Sequence, residues 1–255
     1  MQRFALALEY DGTDFVGWQA QRNGRAVQQV LADALAQVAA EPIAVHGAGR
    51  TDAGVHASHQ VAHFDSTAVR SARQWLLGVN SNLPDDVSVH WIKPVAADFD
   101  ARRSALWREY RYTIAVQPTP PALARRTCWW VRDELDCGAM TAAASAWLGE
   151  RDFSSFRAAQ CQSSTPMRRM LAIGIERSPA RIVLTFRANA FVYHMVRNLV
   201  GALVAIGRGQ QTPRWGAELL AARDRTQGAA TAPPQGLCLI DVGYPDTDAL
   251  PPARV

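Results

Sequence analysis

The sequence predicts an α+β fold built on an antiparallel or mixed sheet. Period-two strand patterns and period-3.6 helix patterns are interleaved along the 255 residues, without the strict strand–helix alternation of a doubly wound parallel sheet. Paired, hairpin-like strand patterns occur on both sides of a seam near residues 94–105. The two stretches flanking that seam repeat a similar rhythm, which predicts halves at residues 1–98 and 99–245 followed by a tail at 246–255.

The elements follow in order. Phe4 to Tyr10 alternates large and small side chains and reads as a strand closed by Asp11-Gly12. Val27, Val30, Leu31, Ala34, Leu35 and Val38 recur at helical spacing, so residues 26–40 read as an amphipathic helix stopped by Pro42. Ile43 to Val45 and Gln60 to Phe64 read as short strands around a glycine-rich loop. Residues 71–81 read as a helix, and Val87 to Ile92 as a strand ahead of Pro94. In the second half Tyr110 to Val116 is a strand ended by Pro118, Pro120 and Pro121, and residues 136–148 are helical. Leu171 to Ile175 and Ile182 to Arg187 alternate on either side of Ser178-Pro179, a hairpin. Residues 191–207 form a long apolar helix. Thr212-Pro213 reads as a cap with proline in the first turn of the next helix. Leu237 to Val242 is a last strand, and the proline-rich tail from 245 is predicted to fray.

Composition removes several classes. Hydrophobic residues at 48% and charged residues at 20% fit a globular chain that buries its own core and needs no disulfide or metal staple. Cys128, Cys137, Cys161 and Cys238 form no CxxC pair, so neither a zinc ribbon nor a redox motif is encoded. The first residues lack an apolar signal core, and Phe191 to Ile206 is broken by His194, Arg197 and Asn198, so no membrane span is expected. A cytoplasmic protein is the expectation. The net charge is +4, and Lys93 is the single lysine against 26 arginines. A GC-rich genome explains that bias. So does a use of arginine for planar contact with phosphates and bases.

Three segments carry chemistry. Gly47 to His56 packs Arg50, Thr51 and Asp52 between glycines that permit tight turns. A hairpin turn with Gly54 at its last corner is the plain reading. A phosphate-cradling loop is excluded, because no Gly-Lys-Ser/Thr follows and no helix pattern begins. His46, Asp52, His56, His59 and His63 also resemble a transition-metal donor set by residue type, but no fixed ligand spacing is matched, and none is assigned. In the apolar helix 191–207, Arg197 either snorkels to solvent or pairs with a buried carboxylate, for which Asp52 is the outstanding candidate. In Trp107-Arg-Glu-Tyr-Arg-Tyr112 a strand puts Tyr110 and Tyr112 on one face and Arg111 on the other. Such aromatics either pack in the core or stack on exposed bases.

Together the segments resemble the TruA family of tRNA pseudouridine synthases. GRTDAGVHA followed by QVAHF resembles its signature loop, EYRYTI its tyrosine motif and NAFVYHMVRNLVG its arginine helix. YDGTDFVGWQ, LPDDVSV, FDARRSA, DFSSFRAAQCQS and AELLAARDRTQGAATAPPQGL extend the likeness over residues 4–245. The resemblance implies a pseudouridine synthase fold, two ferredoxin-like halves sharing a central sheet. It implies conversion of uridine to pseudouridine at positions 38, 39 and 40 of the tRNA anticodon stem-loop, after the base is flipped out. It further implies a homodimer that uses neither cofactor nor metal. Asp52 matches the catalytic aspartate and Arg50 the neighbouring arginine that helps displace the base. Tyr110 matches the tyrosine that contacts the flipped uracil, and Arg197 the arginine that pairs with the aspartate. Thr51 and His56, in the same loop, are expected to bind substrate. A non-catalytic tRNA-binding protein or chaperone on this scaffold is the alternative, and a metal-dependent hydrolase using the histidines a more distant one. His59 and Cys238 depart from the family pattern, standing where many members carry a small residue and an aromatic.

Overall fold

A computed structural model describes residues 1–21 and 24–253. The chain falls into two compact units, residues 1–107 with the segment from 238 onward, and residues 108–237. The last two residues of the expected tail lie outside the described residues.

The first unit contains β1 (Gln2–Tyr10), α1 (Val27–Ala39), β2 (Val45–Gly47), β3 (His56–Ser66), α2 (Ala72–Asn82) and β4 (Val87–Pro94). β1 pairs antiparallel with β3 on one side and β4 on the other, and β2 pairs antiparallel with β3. Alternation places Phe4, Leu6, Leu8 and Tyr10 of β1 in the core. Phe4, Phe64 and Trp75 form a ring cluster there, with Phe64 edge-on to Trp75 at 5.2 Å, which fixes α2 against the sheet. α1 buries Val27, Leu31, Ala34 and Leu35, the stripe its periodicity predicts, and stops at Ala40, whose φ of 57° is left-handed. α2 starts at a reciprocal cap in which Ser71 accepts from the Gln74 N–H and the Gln74 side chain accepts from the Ser71 N–H.

The second unit contains β5 (Trp107–Val116), β6 (Trp129–Val131), α3 (Cys137–Ala144), β7 (Gly149–Asp152), β8 (Met167–Ser178), β9 (Arg181–Ala188), α4 (Met195–Gly207) and α5 (Trp215–Ala222). β5, β9, β8 and β7 are successive antiparallel neighbours, and β6 pairs parallel with β5. Ile182, Leu184 and Phe186 of β9 and Tyr112 and Ile114 of β5 are fully buried. Eleven of the thirteen residues of α4 are buried, as its apolar circumference predicts. Gly201 is required there, because a Cβ would meet the Ala230 carbonyl oxygen at 2.1 Å.

The chain ends with β10 (Leu237–Gly243), which runs parallel to β3 through Cys238–His56 and Leu239–Ala57 and so joins the first unit. The tail turns through a short 3₁₀ segment, Asp246–Asp248, and Lys93 Nζ donates to the Ala249 carbonyl at 2.7 Å. This contact ties down a stretch predicted to fray.

The observed elements depart from the sequence pattern at several further points. α4 begins at Met195 rather than residue 191, because His194 has a φ of 62° and no left-handed residue continues a right-handed helix. Val192 mimics the helical period only because it is buried in the turn before it. α3 ends at Ala144 and tightens into a 3₁₀ turn through Trp147, which Gly149 terminates at a φ of 82°. Residues Thr212 and Pro213 accept the Trp215 and Gly216 N–H groups, so the cap of α5 is Arg214. β6 and β7 carry no sequence signature, since three or four residues are too few to show alternation.

Candidate active site

In the first unit the loop between β2 and β3 is pinned on both sides of Asp52. The Ala48 N–H donates to Val61 O at 2.7 Å, and Gln60 Nε2 donates to Gly49 O at 2.8 Å. The Thr51 carbonyl accepts the Trp18 N–H at 3.0 Å, and the Gly54 N–H donates to Phe15 O at 3.3 Å. Gly54 takes a φ of 75°, the corner the hairpin reading predicts, and the Asp52 carbonyl closes the turn by accepting the Val55 N–H. A strand rather than a helix follows, which agrees with the exclusion of a phosphate-cradling loop. Arg50 is exposed, Asp52 is half-buried and Thr51 is buried. A carboxylate and a guanidinium are therefore presented on a backbone that cannot drift.

The segment 11–18 wraps this loop closely. A Cβ at Gly12 would lie 2.0 Å from Val55 O, and one at Gly17, where φ is 110°, would lie 2.6 Å from Thr51 O. Thr51 and His56, expected to bind substrate, also make hydrogen bonds within this framework. The Thr51 hydroxyl shares a buried 2.8 Å hydrogen bond with the Tyr10 phenol, which burial raises well above its ordinary pKa and so keeps neutral. His56 Nδ1 lies 3.0 Å from the Gly12 N–H and 3.1 Å from Asp11 Oδ1. As an acceptor it takes the first, and as a donor it gives to the second. Tyr10, Gly12, Gly17, Trp18 and Gln60 carry no chemical signature as individual residues. The signal for the first four lay in the YDGTDFVGWQ match.

Of the other histidines in this stretch, His59 and His63 are buried and His46 is exposed. Among the described residues no group of three or more His, Cys, Asp or Glu side chains is placed to hold a metal ion. His46 stacks on His63 at 5.0 Å, and His63 Nδ1 accepts the Ala101 N–H. Burial, with His90 nearby, lowers His59 to about 4. His59 is 2% exposed, and among the described residues its Nδ1 has no hydrogen-bond partner. A neutral folded imidazole and an unfolded one that protonates near its ordinary 6.5 make the unfolded chain the better proton binder between those values. The resulting stability is present above about pH 6.5 and is lost as pH falls toward 4. Relative to His59→Leu, wild type is expected to lose on the order of 2 kcal/mol between pH 7 and pH 4.5, measured by denaturant unfolding. Parallel pH profiles for the two proteins would refute the assignment.

In the second unit β5 turns Tyr110 and Tyr112 to one face and Arg111 to solvent on the other, as the strand pattern predicts. Tyr112 is wholly buried, with its hydroxyl donating to Pro233 O at 2.8 Å. Tyr110 is 7% exposed, and Phe191 stands edge-on to its ring at 5.1 Å. Arg197, in the first turn of α4, is half-buried, and its Nε donates to Ala232 O at 2.8 Å. The Ala232 N–H returns a bond to the Arg197 carbonyl at 3.1 Å. This reciprocal pair orients the guanidinium, whose terminal nitrogens carry its other four N–H donors. Arg50, Thr51, Asp52 and His56 thus gather in the first unit, and Tyr110 and Arg197 belong to the second.

No helix of the described residues is long and apolar enough to cross a membrane. The sequence model of the tRNA pseudouridine synthases matches residues 6–102 and 143–245. The chain is 51% identical over 251 residues to tRNA pseudouridine synthase A of Enterobacter sp. (strain 638), covering 98% of this chain and 93% of that protein. It is 53% identical over 249 residues to tRNA pseudouridine synthase A of Cronobacter sakazakii, covering 98% and 92%. The namesake in Shigella boydii serotype 4 is 51% identical over the same length. With a match that enters both units and relatives alike along nearly their whole length, the chain belongs to the tRNA pseudouridine synthase family, with that family's α+β fold and isomerase chemistry.

Proposed function

We propose that this chain isomerises uridines 38, 39 and 40 of the tRNA anticodon stem-loop and that Asp52 is its catalytic carboxylate. We further propose a cytoplasmic homodimer that needs neither metal nor cofactor. The observation that carries the reading is the Asp52 loop, fixed by main-chain bonds on either side while the carboxylate stays reachable.

The reaction is redox-neutral. The N1–C1′ bond breaks, uracil turns, and C5 bonds to C1′. C5 then gives its proton to water and N1 takes one up. No electron or group donor enters, so aligned protein groups are sufficient. Asp52 meets the electron-deficient centre created by glycosidic cleavage, where a fixed negative charge is worth most. Arg197 supplies the positive charge that the family resemblance assigns to the same chemistry. Tyr110 lies against the flipped uracil, and Arg50 enters the space the base leaves. Flipping costs a few kcal/mol, which contacts to the rest of the tRNA repay.

Transcripts labelled with tritium at uridine C5 test the reading. Release to water is expected from an unmodified tRNA with uridines at 38–40 and not from one with cytidine at all three. Release from both would overturn the site assignment and leave an isomerase of other specificity. Release from neither, with tRNA bound, would favour the non-catalytic tRNA-binding protein.

A further inference from the structure

The loop that leads into α4 carries a feature the isomerisation chemistry does not use. Phe191 packs inward on Tyr110, whereas two residues later Tyr193 stays 39% exposed. Its ring lies against that of His194, with centroids 4.0 Å apart and planes tilted by 33°. His194 holds a left-handed φ of 62°, a conformation that non-glycine residues disfavour and that persists only where its surroundings impose it.

Those surroundings are built. The Tyr193 N–H donates to Cys161 Sγ at 3.4 Å, and the Tyr193 carbonyl accepts the Ala158 N–H at 3.1 Å. The segment that supplies both contacts is stapled in turn. Arg157 Nη2 donates to the Cys161 and Ser163 carbonyls, and Arg168 donates to Thr165 O and the Ser163 hydroxyl. The His194 carbonyl accepts the Asn198 N–H at 2.9 Å as the first bond of α4. An exposed aromatic ring is therefore mounted on a backbone that is fixed before any ligand arrives, which removes the ordering cost from binding.

We propose that the Tyr193–His194 pair is a stacking platform for a nucleobase of the bound RNA other than the uridine that reacts. Every base has a π-face, and sequence-tolerant RNA contacts combine such rings with arginine-rich surroundings. The platform therefore contributes affinity rather than base identity. The proposal rests on tRNA being the substrate, but not on any role for Asp52.

Binding without turnover tests it. Fluorescence anisotropy with a labelled, unmodified tRNA transcript compares wild type with Tyr193→Ala, Tyr193→Leu and Tyr193→Phe. Loss of the stacked base is expected to weaken Kd about tenfold in the alanine and leucine variants, while phenylalanine stays within about twofold. Leucine keeps apolar bulk without a π-face, and unchanged thermal midpoints would confirm that the fold is intact. In turnover, alanine is expected to raise KM about tenfold and to leave kcat within about threefold. Alanine and leucine variants that bind like wild type would overturn the platform. So would a phenylalanine variant as weak as alanine, because the hydroxyl and not the ring would then matter. Wild type that binds no tRNA would overturn both this inference and the proposed function. Tyr193-dependent binding without isomerisation would leave this inference standing and remove only the function.

Discussion

Asp52→Asn is expected to fold like wild type, to bind unmodified tRNA with unchanged affinity, and to release C5 tritium at least about a thousandfold more slowly. Four of the bonds that hold the loop run through the main chain of Ala48, Gly49, Thr51 and Gly54, and a fifth joins Thr51 to Tyr10. None of these five bonds uses the Asp52 carboxylate, so all five remain when the amide replaces it. What the amide lacks is negative charge, and the reaction develops positive charge at C1′ as the glycosidic bond breaks. Removing one preorganised electrostatic group from such a site costs about 10²–10³ in rate, and removing a nucleophile costs more. Single-turnover tritium release with enzyme in excess isolates the chemical step from binding and product release. A rate within about tenfold of wild type would sink the assignment of Asp52, because no fixed carboxylate in a catalytic role is that dispensable.

The parts of this arrangement legible in the sequence are those with short-range signatures. The amphipathic stripe of α1 declares itself over a few local turns, and the β8–β9 hairpin declares itself through alternation about Ser178-Pro179. Arg50 and Asp52 stand out as chemically loaded residues among glycines. The framework behind them is invisible to such reading, because its partners are remote in sequence. Tyr10 and Thr51 are 41 residues apart, and Arg197 and Ala232 are 35 apart. Arg197 shows a further limit. Periodicity shows that it interrupts an apolar helix, but not that a backbone carbonyl takes its Nε.

The arginine bias illustrates the same point. Composition offers a genomic origin or a phosphate-binding role. The second unit shows another use, in which Arg108, Arg157, Arg168, Arg197 and Arg225 each donate to main-chain carbonyls. One guanidinium nitrogen can serve two carbonyls of irregular chain, as Arg157 Nη2 does for Cys161 and Ser163. Lysine offers a point charge on a flexible stem and does not substitute at such positions. Part of the positive count is therefore invested in holding loops, and counting charges overstates what remains to meet RNA.

Gly12→Ala is expected to lower both stability and turnover, the second beyond what the first explains. The added methyl would sit 2.0 Å from Val55 O, a backbone atom that no rotamer change can move. The segment cannot retreat cheaply either, since the Gly12 N–H is bonded to buried His56 Nδ1 at 3.0 Å. Overpacking of this kind costs about 1–3 kcal/mol, and stretching a buried hydrogen bond adds about 1–3 more. Val55 closes the turn on the Asp52 carbonyl, so relief of the clash displaces the carboxylate. A shift of about 1 Å at such a group costs about a hundredfold in rate, even in protein that remains folded. Turnover measured well below the thermal midpoint separates the two effects. Gly49→Ala provides the contrast on the same loop, because a Cβ there meets nothing within 4 Å, and it is expected to keep wild-type stability and rate. If Gly12→Ala behaved like Gly49→Ala, segment 11–18 would not be what sets the position of Asp52. A rate loss without the stability loss would place Gly12 against the RNA instead of against the loop.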